Sequence, residues 1–358
     1  MRQRAADEPG WKDHGQYFGM QLMACLPDRA VLRLIGEQPR VVEGQRMDTL
    51  LQFVSALRRK VRAPRLTDGT VEQARNAFRR EMRAYAGPRT PVKSVREFVI
   101  PTANGPLAVR HYAPLAEGAQ PLLVFLHGGG FTIGDLDTHD EPCRLLCLYS
   151  RMHVLSVAYR LAPEHPVPAA LEDSHAGVVW ARENAASLGA HPTCVTIGGD
   201  SAGGSLSAVT SARMRDEGTP VSAQLLIYPA TDAVTQRESH SLYGGEVFLT
   251  GRDGKAFTSW YTQGTSVSRE DPRVSALLAP NLEKLPPTFV TTGGFDMLRD
   301  EGEAYAEAIR SAGARVELLR FPSMVHGFIN LTGIVPAART ATIEVAQRWR
   351  SLVDETCS

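Results

Sequence analysis

A serine stands between two glycines in the run Gly199-Asp-Ser201-Ala-Gly203, directly after a short apolar run and before a stretch of helix-forming residues. A Gly-x-Ser-x-Gly motif at a strand-to-helix turn is typical of a nucleophilic serine. The flanking glycines let the chain turn sharply without a clash, which leaves the hydroxyl exposed at the carboxyl end of the strand. We therefore predict that Ser201 is the nucleophile of an acyl-transfer reaction, beside a helix dipole that favours negative charge.

A glycine-rich loop with the sequence His-Gly-Gly-Gly, residues 127–130, follows the apolar run 122–126. Successive glycines cost chain entropy, but they allow backbone amides to approach a ligand closely and to donate to a developing oxyanion. The amide of Ala202, next to the nucleophile, would be a further donor. A plain turn and a phosphate-binding loop are the alternatives, although the residues that follow have neither P-loop nor dinucleotide-binding spacing. We interpret His127 as a structural residue that holds the loop by hydrogen bonds.

A serine nucleophile requires a base, and the base requires a carboxylate that fixes its tautomer. In hydrolases with a strand-to-helix serine, the chain order is serine, acid, histidine. Asp296 follows the predicted strand 288–292, and His326 follows the predicted strand 316–319. Rival acids stand in the first turn of the next predicted helix, where the helix dipole favours acidic residues: Asp300, Glu301 and Glu303. The sequence therefore predicts Asp296 and His326 as the partners of Ser201.

The elements that must position these residues follow from the hydrophobic pattern. From about residue 95, short apolar runs alternate with helical stretches, which is typical of an α/β domain with a mostly parallel sheet. Strands are predicted at 95–100, 108–112, 122–126, 154–158, 195–198, 223–228, 288–292 and 316–319. The clearest helices are predicted at 169–184, 300–312 and 338–355. Active sites of such sheets lie at the carboxyl ends of the strands, where the three predicted site residues would meet.

Residues 1–90 differ from the rest because they are rich in arginine and helix formers and poor in strand-like runs. One apolar helical stripe consists of Met47, Leu50, Leu51, Val54 and Leu57. A second consists of Val71, Ala74, Phe78, Met82 and Tyr85, and Thr70 with Gln73 makes a capping box before it. We predict a helical cap over residues 1–90 and a catalytic domain over residues 91–358.

The composition narrows the classes of partner. The 39 basic and 39 acidic residues balance, which leaves no excess charge to attract nucleic acid or an anionic membrane. The amino terminus lacks the apolar stretch of a secretory signal, and no apolar run approaches the about 20 residues that span a bilayer. We expect a cytoplasmic protein without stable membrane insertion.

Five cysteines, at positions 25, 143, 147, 194 and 357, are odd in number, so at least one lies outside any intramolecular disulfide. A reducing compartment fits this count best. Cys143 and Cys147 have the spacing of a ligand pair on a helix, but no further cysteine or histidine cluster joins them. The packing role usual for buried cysteine is the preferred interpretation, and no metal or organic cofactor is expected.

Taken together, these motifs resemble the bacterial hormone-sensitive lipase-like esterase family of α/β-hydrolases. Besides the two glycine motifs, the resemblance rests on segments at 159–166, 271–275, 294–302 and 326–328. It implies an α/β-hydrolase fold with a mostly parallel central sheet flanked by helices and an amino-terminal helical cap. It implies the triad Ser201, Asp296 and His326. It further implies an oxyanion hole made of the backbone amides of Gly129, Gly130 and Ala202.

The expected activity is that of a serine carboxylesterase that hydrolyses short- to medium-chain esters through an acyl-enzyme. An amidase or lactonase with the same triad is an open alternative. A non-catalytic ligand-binding receptor of the same fold is less favoured, because receptors that resemble this family have lost the catalytic histidine and His326 is present. The resemblance also allows a homodimer, formed through the edge of the sheet. Ser205 departs from the asparagine expected after the serine motif, and the amino-terminal segment is longer than the usual cap.

Overall fold

The structure, a computed structural model, describes residues 11–245 and 248–357. Its amino-terminal part consists of helices and a short hairpin: α1 (Trp11–Ala24), α2 (Asp28–Ile35), β1 (Val41–Val42), β2 (Gln45–Arg46), α3 (Thr49–Lys60) and α4 (Val71–Ala86). Asp48 caps α3 by accepting from the amides of Leu50 and Leu51. Thr70 and Gln73 form the predicted capping box at the start of α4.

The two predicted apolar stripes lie on α3 and α4, except that Met47 precedes α3. Leu51, Val54, Phe78 and Met82 are buried, whereas Leu57 is 46% exposed. Leu57 belongs to the last turn of α3, which extends past the core that the rest of the stripe contacts. The predicted boundary between a cap and a catalytic domain at residue 90 stays a prediction.

The described residues after 90 form one large sheet of eight strands: β3 (Ser94–Thr102), β4 (Gly105–Ala113), β5 (Gln120–Leu126), β6 (His153–Val157), β7 (Ala190–Asp200), β8 (Gln224–Ile227), β9 (Thr288–Phe295) and β10 (Val316–Val325). The strand order is β10-β9-β8-β7-β5-β6-β4-β3. Strand β4 pairs antiparallel with both of its neighbours, β3 and β6, and all the other pairs are parallel. The predicted α/β fold and its mostly parallel sheet are confirmed.

Helices cover both faces of this sheet: α5 (Asp140–Ser150), α6 (Ala169–Asn184), α7 (Ala202–Asp216), α8 (Glu238–Tyr243), α9 (Gly251–Thr262), α10 (Arg299–Ser311) and α11 (Pro336–Cys357). The burial of β5 on both faces explains why its sequence is continuously apolar. Leu123 and Phe125 join the core that contains α11, while Leu122, Val124 and Leu126 join the core that contains α6. A strand buried on both faces requires apolar residues at every position.

The segment between β8 and β9 contains two helices, α8 and α9, that the sequence pattern did not predict. Thr250 caps α9 through a box with Asp253. Thr67, which precedes α4, donates to the Asp253 carboxylate at 2.6 Å. The amino-terminal helices and the β8–β9 segment are therefore joined by a buried hydrogen bond.

A disulfide links Cys194 in β7 to Cys357 at the end of α11, two residues 163 positions apart. This bond disagrees with the reducing environment that the odd number of cysteines suggested. The sequence could not show it, because the pairing depends on how α11 packs beside the start of the central strand. Cys143 and Cys147 are free and buried in α5, and burial raises the pKa of both thiols.

Across residues 11–245 and 248–357, no helix combines the length and the apolar character that crossing a bilayer requires.

Candidate active site

Ser201 lies at the turn between the end of β7 and the start of α7. Its backbone has φ 53° and ψ −119°, which is a strained conformation for a residue with a side chain. The turn is held by the Ser201 amide, which donates to the carbonyl of Ile227 in β8 at 2.8 Å. A Cβ at Gly203 would lie 2.7 Å from the carbonyl oxygen of His127, so this close approach requires glycine.

His326 and Asp296 meet Ser201 at the carboxyl edge of the sheet. The Ser201 Oγ lies 3.0 Å from His326 Nε2, and His326 Nδ1 lies 2.7 Å from Asp296 Oδ2. Because a carboxylate only accepts, Nδ1 carries the proton and Nε2 is left to accept from the serine hydroxyl. The other oxygen of Asp296, which is 1% exposed, accepts from the Leu298 amide at 2.9 Å. The structure thus brings the three predicted residues together.

The rival acids bond to other partners. Asp300 accepts from Arg299 and from the Ser239 amide, and Glu303 pairs with Arg320. Glu301 accepts from the Thr231 amide at 2.8 Å and lies 3.3 Å from His240. Asp300 and Glu301 lie in the first turn of α10, where the helix dipole favours acidic residues, whereas Glu303 lies just after that turn.

Asp200 is a buried carboxylate next to the serine that the sequence interpretation did not single out. Its Oδ1 accepts from the Gly128 amide at 2.7 Å and lies 3.3 Å from His139 Nε2, while the Tyr228 hydroxyl donates to Oδ2 at 3.3 Å. Burial by itself raises the pKa of Asp200, but attraction to His139 and hydrogen bonds from His139 and Gly128 outweigh it and lower the pKa. An ionised Asp200 therefore ties the glycine-rich loop to the serine turn.

A signal for Asp200 was present in the sequence. An acid at the end of a buried strand must find donors, because a buried charge without partners is very unfavourable. The donors could not be named, since Gly128 lies 72 positions away along the chain.

The glycine-rich loop takes backbone conformations that other residues avoid. Gly129 has φ 120° and Gly130 has φ 58°. His127 Nδ1 donates to the Gly128 carbonyl at 2.8 Å, and the Tyr159 hydroxyl donates to the His127 carbonyl at 2.6 Å. Burial, together with repulsion from His139, lowers the pKa of His127 to about 4, so this imidazole is neutral near pH 7. His127 holds the loop and does not contact the serine.

Comparison with known proteins adds independent information. Residues 123–330 match a family model described as the alpha/beta hydrolase fold. The carboxylic ester hydrolase LipN of Mycobacterium tuberculosis is 42% identical over 340 residues, which cover 93% of this chain and 90% of that protein. The ethyl acetate hydrolase of Pseudomonas putida is 32% identical, with 77% of this chain and 88% of that protein covered. The chain belongs to the hormone-sensitive lipase-like esterase family. It is a carboxylic ester hydrolase.

Solved structures agree with this assignment. A hyperthermophilic esterase from Pyrobaculum calidifontis superposes with a TM-score of 0.77 at 35% identity, covering 83% of this chain and 97% of that one. An ester hydrolase from the metagenome of Lake Arreo gives a TM-score of 0.79 at 37% identity, with 84% and 96% covered.

The serine of this esterase faces a cavity of about 390 Å³. Much of its wall is apolar, with Phe78 and Met82 from α4, Phe257 from α9, and Leu331 after β10. Phe257 packs directly over the glycine-rich loop, because a Cβ at Gly130 would lie 2.5 Å from two of its ring carbons. No local pattern could have indicated this contact, since it depends on how the β8–β9 segment folds back over the sheet edge.

Polar groups occupy other parts of the cavity wall. Arg58 of α3 pairs with Glu81 of α4, and the Tyr85 hydroxyl donates to Glu81 at 2.8 Å. His240 faces the fully buried Glu301, whose pKa is raised by burial, while the pKa of His240 is raised by its hydrogen bond to that carboxylate. The cavity therefore offers a substrate both apolar surface and hydrogen-bonding groups.

Proposed function

We propose that this esterase hydrolyses short- to medium-chain carboxylic esters through a Ser-His-Asp triad and an acyl-enzyme. The observation that carries the proposal is the unbroken hydrogen-bonded series from Asp296 through His326 to Ser201, which opens on an apolar cavity. A cavity of about 390 Å³ lies at the lower end of the range for small-molecule sites, which favours small esters. The resemblance to an enzyme named for ethyl acetate supports the same acyl range.

In the first step, Ser201 Oγ attacks the ester carbonyl carbon while its proton moves to His326 Nε2. Asp296 holds the Nδ1–H and stabilises the imidazolium that forms. Collapse of the tetrahedral intermediate breaks the ester C–O bond, and the proton on Nε2 passes to the leaving alcohol. In the second step, His326 Nε2 takes a proton from water, which attacks the acyl carbon. The bond between this carbon and Ser201 Oγ then breaks, the proton on Nε2 returns to Oγ, and the carboxylic acid leaves.

We propose that three backbone amides, those of Gly129, Gly130 and Ala202, donate hydrogen bonds to the tetrahedral oxygen and stabilise its negative charge. Two supports come from the chain itself. Ala202 is the first residue of α7, where amides are free to donate and the helix dipole favours an anion. Asp200 anchors the amide of Gly128 and so fixes the loop that carries the other two donors. Loss of one such donor typically raises the barrier by about 3–4 kcal/mol.

We also propose that residues 1–90 act as a cap that shapes the substrate cavity. Helix α4 supplies Phe78 and Met82 to its wall, and Arg75 of the same helix pairs with Glu164 of the catalytic domain at 2.7 Å. Formation of a homodimer through the sheet edge and a cytoplasmic location stay predictions. Light scattering on the purified chain tests the first.

The test is hydrolysis of p-nitrophenyl esters from acetate to palmitate by the wild type, Ser201→Ala and Ser205→Ala. Ser205 is the matched control, because it is buried one turn farther along α7 and its hydroxyl has no hydrogen-bond partner among the described residues. We expect activity to fall with chain length, to drop by about 10⁶ in Ser201→Ala, and to persist in Ser205→Ala. Turnover that survives Ser201→Ala would refute the triad. Cleavage of amides or lactones, with no turnover of these esters, would favour the amidase or lactonase alternative.

A further inference from the structure

The neutral total charge of the chain conceals two halves of opposite sign. Residues 1–90 contain 17 basic and 10 acidic residues, a net charge of +7, and residues 91–358 contain 22 basic and 29 acidic residues, a net charge of −7. Ions screen charges beyond about 8 Å at physiological salt. A surface on the amino-terminal segment is therefore governed by its own charge, whatever the sum over the protein.

Exposed apolar side chains are concentrated in the same segment. Among the described residues, eleven large apolar side chains are exposed, and seven of them lie between positions 18 and 61: Phe18, Leu22, Leu26, Leu34, Val41, Leu57 and Val61. The remaining four are spread over the much longer catalytic part: Val99, Leu115, Val234 and Leu278. Single exposed apolar residues are ordinary on protein surfaces, whereas a contiguous exposed patch marks an interaction site.

Part of this surface forms one patch where α2 and α3 end side by side. Glu37, just after α2, binds Arg59 at 2.7 Å and Gln52 at 2.9 Å, both from α3, and so holds the two helices together. We define the α2–α3 patch by the exposed residues at these two helix ends: Arg33, Leu34, Leu57, Lys60, Val61 and Arg62. Leu34 and Val61 are 62% and 63% exposed.

The cations of the patch differ from their neighbours in being unneutralised. Within the part of the chain that the structure describes, Arg33, Lys60 and Arg62 have no carboxylate within ion-pair distance. Nearby Arg58 and Arg59 are both paired with glutamates. Free cations interleaved with exposed aliphatic side chains are the combination that binds peripherally to anionic lipid, because the cations attract headgroups and the aliphatic groups enter the acyl boundary.

We propose that the α2–α3 patch docks this esterase on an anionic lipid surface. The docking is peripheral and requires no spanning segment. Helix α3 connects the patch to the cavity, since Arg58 follows Leu57 and lines the cavity wall. The docking itself does not depend on the proposed hydrolytic mechanism.

The experiment is cosedimentation of the full chain with vesicles of phosphatidylcholine alone and of phosphatidylcholine and phosphatidylglycerol in equal amounts. We expect binding to the anionic vesicles, release by salt, and little binding to the zwitterionic ones. Lys60→Gln with Arg62→Gln should weaken binding about 25-fold, since each basic residue near such a surface contributes about a fivefold factor. Leu57→Ser with Val61→Ser should weaken it by about tenfold or more through loss of apolar burial.

Controls use exposed residues of the same kinds outside the patch. Lys93→Gln and Leu115→Ser should leave vesicle binding unchanged. All variants should hydrolyse a soluble acetate ester like the wild type, so a failure of the hydrolytic proposal appears in that assay alone. Equal binding to both vesicle types, or anionic binding that both patch variants retain, would overturn the proposal. Absence of vesicle binding together with a dimer that the patch variants dissociate would overturn it too, and would assign the surface to a second copy of the chain.

Discussion

Replacement of Gly130 by alanine tests whether α9 fixes the glycine-rich loop. The structure imposes two separate penalties on a side chain at this position. The backbone has φ 58°, in the left-handed region, and the new Cβ would lie 2.5 Å from Cδ1 and Cδ2 of Phe257. Phe257 is 5% exposed and cannot swing into solvent without giving up its packing.

The two penalties have different sizes and act on different quantities. A left-handed conformation costs a non-glycine residue about 1–2 kcal/mol, which lowers the free energy of unfolding. Carbon atoms in contact prefer about 3.5–4.0 Å, and Cγ of the ring comes closer still, so the Cβ and the ring must separate by at least about 1 Å. If the loop makes that movement, its amides shift by a similar amount, and a misplacement of this size costs about 100-fold in kcat. We therefore expect Gly130→Ala to lose about 100-fold in kcat and little stability beyond the backbone cost.

The assay is a double-mutant cycle on p-nitrophenyl acetate with Gly130→Ala, Phe257→Ala and both together, alongside urea unfolding. Removing the ring opens the space that the Cβ needs. Gly130→Ala should therefore lower kcat much less when it is made in Phe257→Ala than when it is made in the wild type. Gly218→Ala is the matched control, because Gly218 has φ 73° and a Cβ added there would meet no atom within 4 Å. It should lose stability by the backbone cost and keep its kcat.

A double variant as inactive as Gly130→Ala would refute this reasoning. The loss would then come from backbone strain or from the added methyl group itself, and the contact between α9 and the loop would have no part in it. Full activity of Gly130→Ala would show that Phe257 yields to the methyl group and does not fix the loop.

Three further outcomes follow from other contacts. Asp200→Asn should lower kcat and reduce the free energy of unfolding by about 1–3 kcal/mol through loss of a charged acceptor. Asp173→Asn is the control, because Asp173 is a buried carboxylate that pairs with an arginine elsewhere, and it should lower stability only. Equal kcat values for the two variants, in samples whose stability has been measured by urea unfolding, would contradict the anchoring role of Asp200. Burial, with a smaller repulsion from a neighbouring histidine, lowers the pKa of His111 to about 3. Between about pH 3 and 6.5, therefore, the unfolded chain binds a proton at this imidazole and the folded chain does not. The free energy of unfolding then rises with pH by up to about 1.4 kcal/mol per pH unit. His111→Gln should flatten that rise in unfolding curves, and an unchanged slope would count against it. Cys357→Ser should lower the free energy of unfolding by about 2–4 kcal/mol under oxidising conditions, because it removes the disulfide to Cys194. If a thiol reagent labels all five cysteines of the denatured wild type, the disulfide does not form.

Much of the fold could be predicted because its signals are local. Each buried strand is an apolar run bounded by turn residues, and α6 was predicted at its observed bounds, Ala169–Asn184, from the pattern alone. The choice of Asp296 over the acids of α10 also had a local basis, since those acids stand where a helix N-terminus favours them. The β8–β9 segment gave weaker signals, and α8, with six residues, is too short for a clear helical period.

By itself, the sequence determined the chemistry that we propose for the site: which residue is expected to attack, which to accept the proton, and which loop can present amides. These properties belong to residue types in a fixed chain order. The tertiary structure decided what surrounds them. Asp200 meets Gly128, Phe257 covers Gly130, and Cys194 meets Cys357 only after distant segments have packed. The patch on α2 and α3 was likewise hidden in a neutral total charge. Such contacts depend on how helices and strands that are distant in the sequence pack against one another, and no local sequence pattern specifies that packing.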